Sequence, residues 1–421
     1  MVGNQHEPAD ELKGSGVLVA LQRDAAFERD VVVIGGCGHV GLPLAVALAD
    51  RGAQVAVYDI DPAAVALVSR GRMPFAEEGA GPLLERAVAG GRLVASVDPV
   101  VVGSAGHVVV VIGTPVDEHL NPDPQAIPRA LAGCAEFLRD GQLLVLRSTV
   151  YPGVTALVEK MIARLGCRVD VTFCPERIAE GKAMAELFEL PQIISARSEV
   201  GFARAEALFG LLTASQVRMS PEEAELAKLF TNTWRYVKFA TANQLYMMAN
   251  DRGLDFEKIR QGLMADYPRA ADLPAAGFAA GPCLLKDTMQ LAAFNNNNFA
   301  LGQTAMAINE GLPLYLVDRL KRRYDLESMA VGILGMAFKG GSDDIRSSLA
   351  YKLKRILAFT TETVYCTDPY VTADASLLPL GDVVAKSDLL IIAAPHAQYA
   401  ALETGKPVVD IWNIRGQGVR V

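Results

Sequence analysis

Short apolar runs alternate with longer amphipathic segments through the first half of the chain. The runs are four to six residues long and cover residues 31–34, 54–58, 107–112, 142–147 and 169–173. Apolar and β-branched runs of this length are typical of buried parallel strands. The segments between them, such as residues 42–49, have the character of crossover helices. Strands and helices in alternation predict a parallel sheet covered by helices.

A long helix is predicted after Ser220. Ser220 is suited to cap it, Pro221 to occupy its first turn, and Glu223 to complete a capping box with Ser220. No helix breaker follows before about Asp251, so this helix is long enough to act as a spine between two domains. Helical patterns continue over residues 256–264 and 289–320, the second interrupted by asparagines 295–298.

After residue 330 the alternation of strands and helices returns and echoes the first part. The letters VYDIDP at 57–62 resemble VYCTDP at 364–369, and VVVVIGTP at 108–115 resembles LLIIAAP at 389–395. The echo predicts an α/β fold of two Rossmann-like doubly wound lobes joined by a long central helix and a helical middle domain. The predicted units are a weakly ordered arm with an amphipathic stretch at 17–27, a first lobe, a helical middle and a second lobe (1–29, 30–215, 216–325 and 326–421).

Length, charge and cysteine content narrow the class of protein. At 421 residues the chain exceeds a single core, and its net charge of −8 without a basic stripe predicts no nucleic-acid partner. The longest apolar region, residues 31–49, is broken by glycines and a proline, which predicts no membrane span. The six scattered cysteines form no C-x-x-C pair and no zinc spacing with histidine. We therefore expect no metal, no disulfide scaffold and a cytoplasmic setting.

A dinucleotide-binding loop is predicted between the first strand and the first helix. Its G-x-G-x-x-G pattern is Gly36-Cys37-Gly38-His39-Val40-Gly41. These glycines permit a tight turn, close approach to a pyrophosphate and helix–strand packing. Asp59 ends the next strand, where a carboxylate binds both ribose hydroxyls and repels a 2′-phosphate, so NAD is favoured over NADP. The alternative is a glycine-rich turn that binds nothing.

The second lobe lacks this pattern. In the echo Cys366 aligns with Asp59, so the ribose-binding acid is predicted to be missing. The loop at 335–346 carries Lys339 and Arg346 in place of glycines at that spacing. A cationic lobe of this type favours a different phosphorylated ligand, and the alternative is a solvated basic loop.

A thiol and several polar residues form the candidate catalytic set. Cys283 precedes the pair Lys286-Asp287 by three residues, and a thiolate can hold an aldehyde while a second hydride leaves. Alone, such a cysteine is more often a small core residue. Its companions lie at strand ends or share one helix face: Thr149, Glu176, Glu180, and the i, i+4 pair Lys228 and Asn232.

These residues stand in ordered motifs that resemble the nucleotide-sugar 6-dehydrogenases, a family that includes UDP-glucose, GDP-mannose and UDP-N-acetylmannosamine dehydrogenases. The resemblance covers nearly everything from Val31 to Ile414. Its motifs are GxGxVGLPLA (36–45), GTP (113–115), STVYPG (148–153), PERIAEG (175–181), ELAKLFTNT (225–233), GPCLLKD (281–287) and AFKGGSDDIRSS (337–348).

The resemblance implies a reaction and a role for each residue. It implies an NAD-dependent four-electron oxidation of the C6 alcohol of a nucleotide-diphosphate sugar, through a thiohemiacetal and a thioester on Cys283. Lys228 and Asn232 would stabilise the developing oxyanion. Asp287 would assist proton movement and hydrolysis. Glu176 would transfer protons or activate water, with Glu180 an acid of the same motif, and Thr149 would position the water.

The resemblance also assigns binding contacts to the lobes. NAD would bind the first lobe, the sugar nucleotide the second, and the helical middle would dimerise. The implied cofactor contacts are Gly36, Cys37, Gly38, His39, Val40, Gly41, Asp59, Thr114, Thr149, Lys286 and Arg346. The implied substrate contacts are Glu176, Lys228, Asn232, Arg235, Arg269, Gly277 and Lys339, with Arg346 also a candidate for the sugar nucleotide.

Several hypotheses about the substrate and the class of protein stay open at this point. UDP-glucose is the best single substrate, because the C-x-x-K-D pattern resembles the glucose-type members. A UDP-N-acetylhexosamine of the mannosamine type or dTDP-glucose is the alternative. A two-electron β-hydroxyacid dehydrogenase and a non-catalytic nucleotide-binding protein are weaker hypotheses.

We also expect a homodimer built on the central helix, across which Arg269 would reach the neighbour's substrate. Fewer glycines precede Cys283 than is usual in the family, in the loop 277–281.

Overall fold

The computed structural model describes residues 25–117, 119–419 and 421. Most of the predicted arm, including nearly all of the amphipathic stretch at 17–27, lies outside the described residues. At the end of that arm Phe27 is buried and lies against Gly106, and the first strand begins at Arg29.

The first lobe is built on an eight-stranded sheet. Its strands are β1 (Arg29–Ile34), β2 (Val55–Tyr58), β3 (Leu93–Ser96), β4 (Ala105–Val110), β5 (Leu143–Leu146), β6 (Asp170–Phe173), β7 (Gln192–Ala196) and β8 (Gln216–Met219). They are ordered β3-β2-β1-β4-β5-β6-β7-β8. Neighbouring strands are parallel except β6 and β7, which are antiparallel. The five predicted strands are confirmed, and the sheet extends to Met219, four residues past the predicted lobe boundary.

Helices cover both faces of this sheet. They are α1 (Gly41–Asp50), α2 (Pro62–Val68), α3 (Ala80–Ala89), α4 (Ala126–Ala132), α5 (Val154–Leu165), α6 (Ala183–Glu189) and α7 (Glu199–Gly210). Alternate residues of β1 point to opposite layers. Val31 and Val33 pack in the layer that holds α1, whereas Val32 and Ile34 pack in the layer that holds α5. This alternation at fully buried strands explains why β1 reads as a continuous apolar run.

A long helix connects the lobes, as predicted. It is α8 (Pro221–Asn250), and the capping box between Ser220 and Glu223 is present. The helices α9 (Phe256–Met264), α10 (Leu284–Phe294) and α11 (Ala300–Arg323) follow it. The asparagines at 295–298 form the turn between α10 and α11, with Asn296 and Asn297 in the left-handed region. The first of these two helices begins five residues earlier than predicted, so that Cys283 is its N-cap.

The second lobe repeats the core of the first on a smaller scale. Its strands β9 (Ala330–Leu334), β10 (Thr363–Thr367), β11 (Leu389–Ile392) and β12 (Val408–Val409) are all parallel, in the order β10-β9-β11-β12. Its helices are α12 (Leu349–Ala358) and α13 (Leu380–Lys386). The order matches β2-β1-β4-β5 of the first lobe. The prediction of two Rossmann-like lobes is therefore confirmed.

The predicted equivalence of Cys366 and Asp59 is wrong. Strand pairing sets Tyr58 beside Ile34 in the first lobe and Thr367 beside Leu334 in the second. The residue that follows the second strand is thus Asp59 in one lobe and Asp368 in the other. Cys366 is buried in the core. The sequence alignment of the two lobes is wrong by two residues, because β10 continues to Thr367, two residues past the Val-Tyr pair that both lobes share.

Asp368 is engaged inside the second lobe. Its carboxylate accepts hydrogen bonds from the backbone N–H groups of Met336 and Ala337 (2.6 and 2.9 Å) and from Nε2 of the buried His396 (2.9 Å). Burial opposes its charge, but the hydrogen bonds from His396 and the backbone lower the pKa of Asp368 to about 2. An acid is therefore present, yet its oxygens are occupied and fully buried, which leaves them unavailable to a ribose.

The two lobes meet along the carboxyl ends of their strands. Lys339 Nζ donates to the backbone oxygen of Glu180, and Ser342 Oγ lies 2.9 Å from a Glu180 carboxylate oxygen. Asp343 accepts from the backbone N–H of Ala76 at 3.3 Å. The candidate site lies in the cleft closed by these contacts. Among the helices of the described ranges, none combines the length and apolarity needed to cross a membrane.

Candidate active site

The predicted dinucleotide loop has the shape that a pyrophosphate needs. A Cβ at Gly36 would lie 2.5 Å from Val57, and one at Gly41 would lie 2.4 Å from the Gly35 carbonyl oxygen, so both positions require close packing. A Cβ at Gly38 would meet nothing nearer than 3.6 Å, which leaves open space above it. The helix that follows has Val40 as its N-cap without a side-chain cap. In its first turn the N–H of Leu42 donates to the Gly38 carbonyl oxygen at 3.0 Å and Pro43 has no N–H, so the N–H of Gly41 is the helix donor that can receive a phosphate oxygen.

Asp59 lies where a ribose acid belongs. Its carboxylate accepts from the N–H of Cys37 at 3.0 Å and from the N–H of Asp61 at 3.2 Å. These bonds hold the side chain at the carboxyl end of β2, beside the glycine loop. Burial and the nearby carboxylates of Asp59 and Asp61 raise the pKa of the Cys37 thiol to about 12. Cys37 therefore serves the loop through its backbone and not as a nucleophile.

His39 faces the second lobe. Its ring stacks on Phe75 with centroids 4.0 Å apart, and Nε2 lies 4.0 Å from Glu180. Burial, aided by the charge of Arg346, lowers the pKa of His39. Ligand atoms of His39, Glu180 and Asp343 converge within 4.8 Å. Glu180 is bonded to Ser342 and Asp343 to Ala76, so the carboxylates of this group contribute contacts between the two lobes.

Cys283 opens into the cleft. It is the N-cap of α10, and its side chain is exposed, whereas Cys37, Cys134, Cys174 and Cys366 are buried. The cleft walls still desolvate the sulfur. Their effect and the charge of Asp287 raise the pKa of Cys283, while Lys286, Lys228 and Arg346 oppose that rise. The thiol is thus accessible but protonated in the resting protein, and it needs a partner to take its proton.

A continuous chain of polar contacts links Cys283's helix to the first lobe. Asp287, fully buried one turn after Cys283, lies 2.5 Å from Asn232 Nδ2 and 2.6 Å from Lys286 Nζ. Lys286 Nζ reaches Thr114 Oγ1 at 3.5 Å, and Thr114 Oγ1 donates to the backbone oxygen of Thr149 at 2.6 Å. Among the described residues, Asp287 Oδ1 has no well-directed hydrogen-bond donor, since the contact from Lys286 is off-line. That oxygen can accept a proton.

Lys228 is the cation nearest to this group on α8. It stands one helical turn before Asn232, on the side that faces α10. Burial lowers the pKa of Lys228, and the charges of Asp287, Cys283 and Glu176 act in the opposite direction. The same causes place Lys228 within electrostatic range of the thiol and of both carboxyl groups. The structure thereby brings together five of the predicted catalytic residues: Cys283, Lys228, Asn232, Asp287 and Glu176.

Glu180 takes a different position from Glu176. Its neighbours are Ser342, Lys339 and Arg346 of the second lobe and His39 of the glycine loop. Burial and the charge of Asp344 raise the pKa of Glu180 to about 7, against the pull of Ser342, Lys339 and Arg346. Arg346 is held by both oxygens of Asp344 and lies 3.9 Å from Glu180. Glu180 therefore belongs to the contact between the lobes.

Sequence models of three domains of one family match successive parts of the chain. The NAD binding domain of the UDP-glucose/GDP-mannose dehydrogenase family matches residues 29–213, its central domain residues 222–311, and its UDP binding domain residues 332–417. The chain belongs to the UDP-glucose/GDP-mannose dehydrogenase family. The predicted family and the use of NAD are confirmed by these matches.

Named members of this family are similar over nearly the whole chain. The UDP-N-acetyl-D-mannosamine dehydrogenase of Escherichia coli (strain K12) is 28% identical over 415 residues, which cover 91% of this chain and 97% of that protein. The structure of a UDP-glucose dehydrogenase from Pyrobaculum islandicum is 27% identical with a TM-score of 0.86, and the match covers 96% of this chain and 99% of that one. The UDP-D-ManNAc dehydrogenase from Pyrococcus horikoshii is 27% identical with a TM-score of 0.83, covering 89% and 91%.

The predicted substrate contacts of this family member fall into two groups. Lys339 lies in the cleft beside Glu180, and burial lowers the pKa of Lys339. Gly277 is buried with φ +152°, and its backbone N–H and carbonyl are both bonded to Asn243. A Cβ there would lie 2.3 Å from the Trp412 ring, so Gly277 is required for close packing of the lobes.

Two predicted arginines lie apart from the thiol. Arg235 is exposed on α8, and Arg269 is exposed with its guanidinium 5.9 Å from the centre of the Tyr267 ring. Their roles toward substrate stay predictions. The hydroxyl role of Thr149 likewise stays a prediction, although its backbone joins the polar chain described above.

The buried cation Arg147 belongs to the site but was not predicted from the sequence. Arg147, only 1% exposed at the end of β5, forms an ion pair with Glu176. The signal was available, because an arginine that ends an apolar strand cannot reach water and must find a buried partner. Gln192, the first residue of β7, completes its surroundings at 3.0 Å.

Proposed function

We propose that this protein oxidises the C6 alcohol of a UDP-linked hexose to the uronic acid, with transfer of two hydrides to NAD. The observation that supports this most directly is the exposed Cys283 at the start of α10, joined through Asp287, Lys286 and Thr114 to the NAD-binding lobe. A thiol in that position can hold the intermediate aldehyde. Overall one alcohol, two NAD and one water give one carboxylate, two NADH and three protons.

The first oxidation converts the alcohol to the aldehyde. NAD, bound by the glycine loop and Asp59, supplies the hydride acceptor. The hydroxyl proton leaves to Asp287 Oδ1, the buried carboxylate oxygen that lacks a well-directed donor. Lys228 and Asn232 donate to the oxygen on which negative charge develops, and such donors contribute most in a site shielded from water.

The second oxidation proceeds on the thiol. Cys283 sulfur adds to the aldehyde carbon while its proton goes to the aldehyde oxygen, which forms the thiohemiacetal. Loss of a second hydride from carbon and of the hydroxyl proton leaves a thioester. Water then attacks the thioester carbonyl, the carbon–sulfur bond breaks, and the carboxylate and the free thiol are released. In this proposal the hydroxyl of Thr149 orients that water.

The substrate class follows from the second lobe and from the relatives. Lys339 and Arg346 bring cationic groups to the cleft, where a diphosphate would bind. The named sequence relatives act on UDP-N-acetyl-D-mannosamine, which favours that sugar for this chain. UDP-glucose, the prediction from the C-x-x-K-D pattern, is the second candidate, because the UDP-glucose dehydrogenase of Pyrobaculum islandicum aligns over 96% of this chain.

The test of the proposed function is the ratio of NADH formed to sugar consumed. With UDP-N-acetyl-D-mannosamine, UDP-glucose, dTDP-glucose and a GDP-sugar offered in turn, we expect two NADH per molecule of the accepted sugar and a uronic acid product by mass spectrometry. One NADH per sugar and an aldehyde product would instead indicate a two-electron dehydrogenase. No NADH with any sugar would indicate a nucleotide-binding protein without turnover.

We further propose that the protein is a homodimer that buries one face of α8. Four large apolar side chains on that face are exposed: Phe230 (52%), Trp234 (59%), Leu245 (37%) and Met248 (59%). They recur at helical spacing along one stripe, with Thr241 near its middle. A contiguous exposed apolar stripe marks an interaction surface. Its layout suits an antiparallel second copy, since aromatic residues at one end would meet aliphatic residues at the other.

Trp234→Glu is expected to convert the dimer to a monomer, because it places a charge within the apolar contact. Sedimentation velocity at a fixed concentration measures the change. Phe359→Glu is the matched control, since Phe359 is 95% exposed at the end of α12 and lies outside the stripe. A wild-type protein that sediments as a monomer, or equal dissociation of both variants, would contradict the proposed interface.

A further inference from the structure

Arg147 is a buried cation of the candidate site with a carboxylate, a backbone oxygen, a side-chain amide and an aromatic ring around it. Nη1 donates to the backbone oxygen of Cys174 and to Gln192 Oε1, both at 3.0 Å, and Nη2 donates to Glu176 Oε2. The guanidinium also lies 4.7 Å from the centre of the Phe209 ring. Nη1 and Nη2 are thus both paired in a place closed to solvent, whereas Nε has no hydrogen-bond partner among the described residues.

The antiparallel strand β7 explains how these partners meet. Arg147 follows β5 and Cys174 follows β6, so both lie at the carboxyl edge of the sheet. Because β7 runs against β6, its first residue, Gln192, lies at that same edge. The reversal of one strand therefore supplies the neutral partner that completes the arginine's surroundings. A fully parallel sheet would place the start of β7 at the opposite edge.

The contacts fix Glu176 as well as Arg147. Glu176 Oε2 accepts from Arg147, and Oε1 accepts from the backbone N–H groups of Arg177 and Ile178 at 2.6 and 2.9 Å. Donors on both oxygens hold the carboxylate in one orientation. This fixed anion lies within electrostatic range of Lys228, whose ammonium form it favours.

We propose that Arg147 is a positioning residue for the oxidation: it holds the Glu176 carboxylate in one orientation at the edge of the sheet that borders the cleft. The inference rests on the proposed function and extends it by one residue. Arg147 itself touches neither sulfur nor Lys228 in the contacts of the described residues, so its influence passes through Glu176.

Substitutions at both partners test this assignment. Arg147→Met removes the charge and leaves a buried carboxylate unpaired, Arg147→Lys keeps the charge without the planar fork, and Glu176→Gln removes the anion. The readout is the pH profile of kcat with the accepted UDP-sugar at saturating NAD. We expect Arg147→Met to lower kcat on the order of tenfold or more and to move the acid limb up by about one pH unit, as expected when a carboxylate loses its cation. Arg147→Lys should restore most of the loss.

The double variant separates positioning from packing. In the Glu176→Gln background, Arg147→Met should change kcat by less than about twofold, because the residue through which Arg147 acts is gone. An equal loss in both backgrounds would overturn the proposal, since it would mean that Arg147 acts through Gln192, Cys174 or Phe209. Should Arg147→Met alone fail to fold, the double variant, which removes both charges together, is compared with the wild type, and a kcat within about twofold of the wild type would overturn the proposal.

An infrared measurement keeps this test independent of the proposed function. In variant-minus-wild-type difference spectra at neutral pH, in which the contribution of Glu180 cancels, an additional C=O stretch of a protonated carboxylic acid should appear for Arg147→Met and vanish for the double variant. That result without NADH formation from any sugar would sustain the role of Arg147 and remove the proposed function. An active wild type together with no protonated carboxyl signal in a folded Arg147→Met would remove the role of Arg147 alone.

Discussion

With Cys283 replaced by alanine, we expect uronic acid formation to fall by on the order of 10³-fold or more, as when a covalent nucleophile is removed. The sulfur is the only exposed thiol in the cleft among the described residues, and it begins the helix that carries Asp287. Without it the aldehyde cannot become a thiohemiacetal, so no second hydride can leave by this route. Product analysis by mass spectrometry and the NADH yield measure the loss.

Cys167→Ala is the matched control, because Cys167 is a partly exposed cysteine in the turn after α5, outside the cleft. It should leave acid formation within about twofold of wild type, as surface substitutions usually do. Labelling gives a readout that does not depend on turnover: at alkaline pH, where the thiolate forms, iodoacetamide should modify Cys283, and the accepted UDP-sugar should slow the modification of Cys283 but not that of Cys167. Equal losses of acid from both alanine variants would contradict the assignment of the nucleophile.

Those parts of the fold that are encoded by neighbouring residues in the sequence could be predicted, and those that depend on pairing between distant segments could not. The strands of the NAD lobe are short apolar runs bounded by turns and could be recognised as such. The start of α8 was also recognisable, because Ser220, Pro221 and Glu223 form a helix-capping sequence. The direction of β7 was not, because an antiparallel partner leaves no mark in the run of residues 192–196. The register error at Cys366 has the same origin, since pairing with β9 decides where β10 ends.

The candidate site was likewise predicted only where neighbouring residues in the sequence define it. Cys283, Lys228 and Asn232 were found because motif and helical spacing keep them in recognisable order, and the structure brings them to one cleft. Glu180 was grouped with Glu176 by proximity in sequence, yet the turn between them directs it to the other lobe. Arg147 and Gln192 belong to the site only because three strands share one edge. Such partnerships follow from sheet order, which sequence spacing does not contain.

Replacing Lys228 by alanine is expected to lower kcat by about 10²- to 10³-fold, the usual loss when an oxyanion donor is removed, while the KM for NAD changes by less than about threefold. The charges of Asp287 and Cys283 act on Lys228, which is proposed to serve the reacting oxygen and not the cofactor, so cofactor binding should be spared. The exposed Lys160 of α5 is the matched control, and Lys160→Ala should leave both constants within about twofold.

The pH profile supplies the sharper test of this lysine, because its charge is proposed to act on the oxyanion. Burial lowers the pKa of Lys228, so the ammonium loses its proton at a lower pH than an exposed lysine, for which about 10.4 is usual. In the wild type kcat should therefore decline as the pH rises through that lowered pKa. Lys228→Arg keeps its charge across this range, so its residual activity should lack the alkaline decline. An alkaline limb that is unchanged in Lys228→Arg, or a defect confined to the KM for NAD, would show that Lys228 does not stabilise the developing charge.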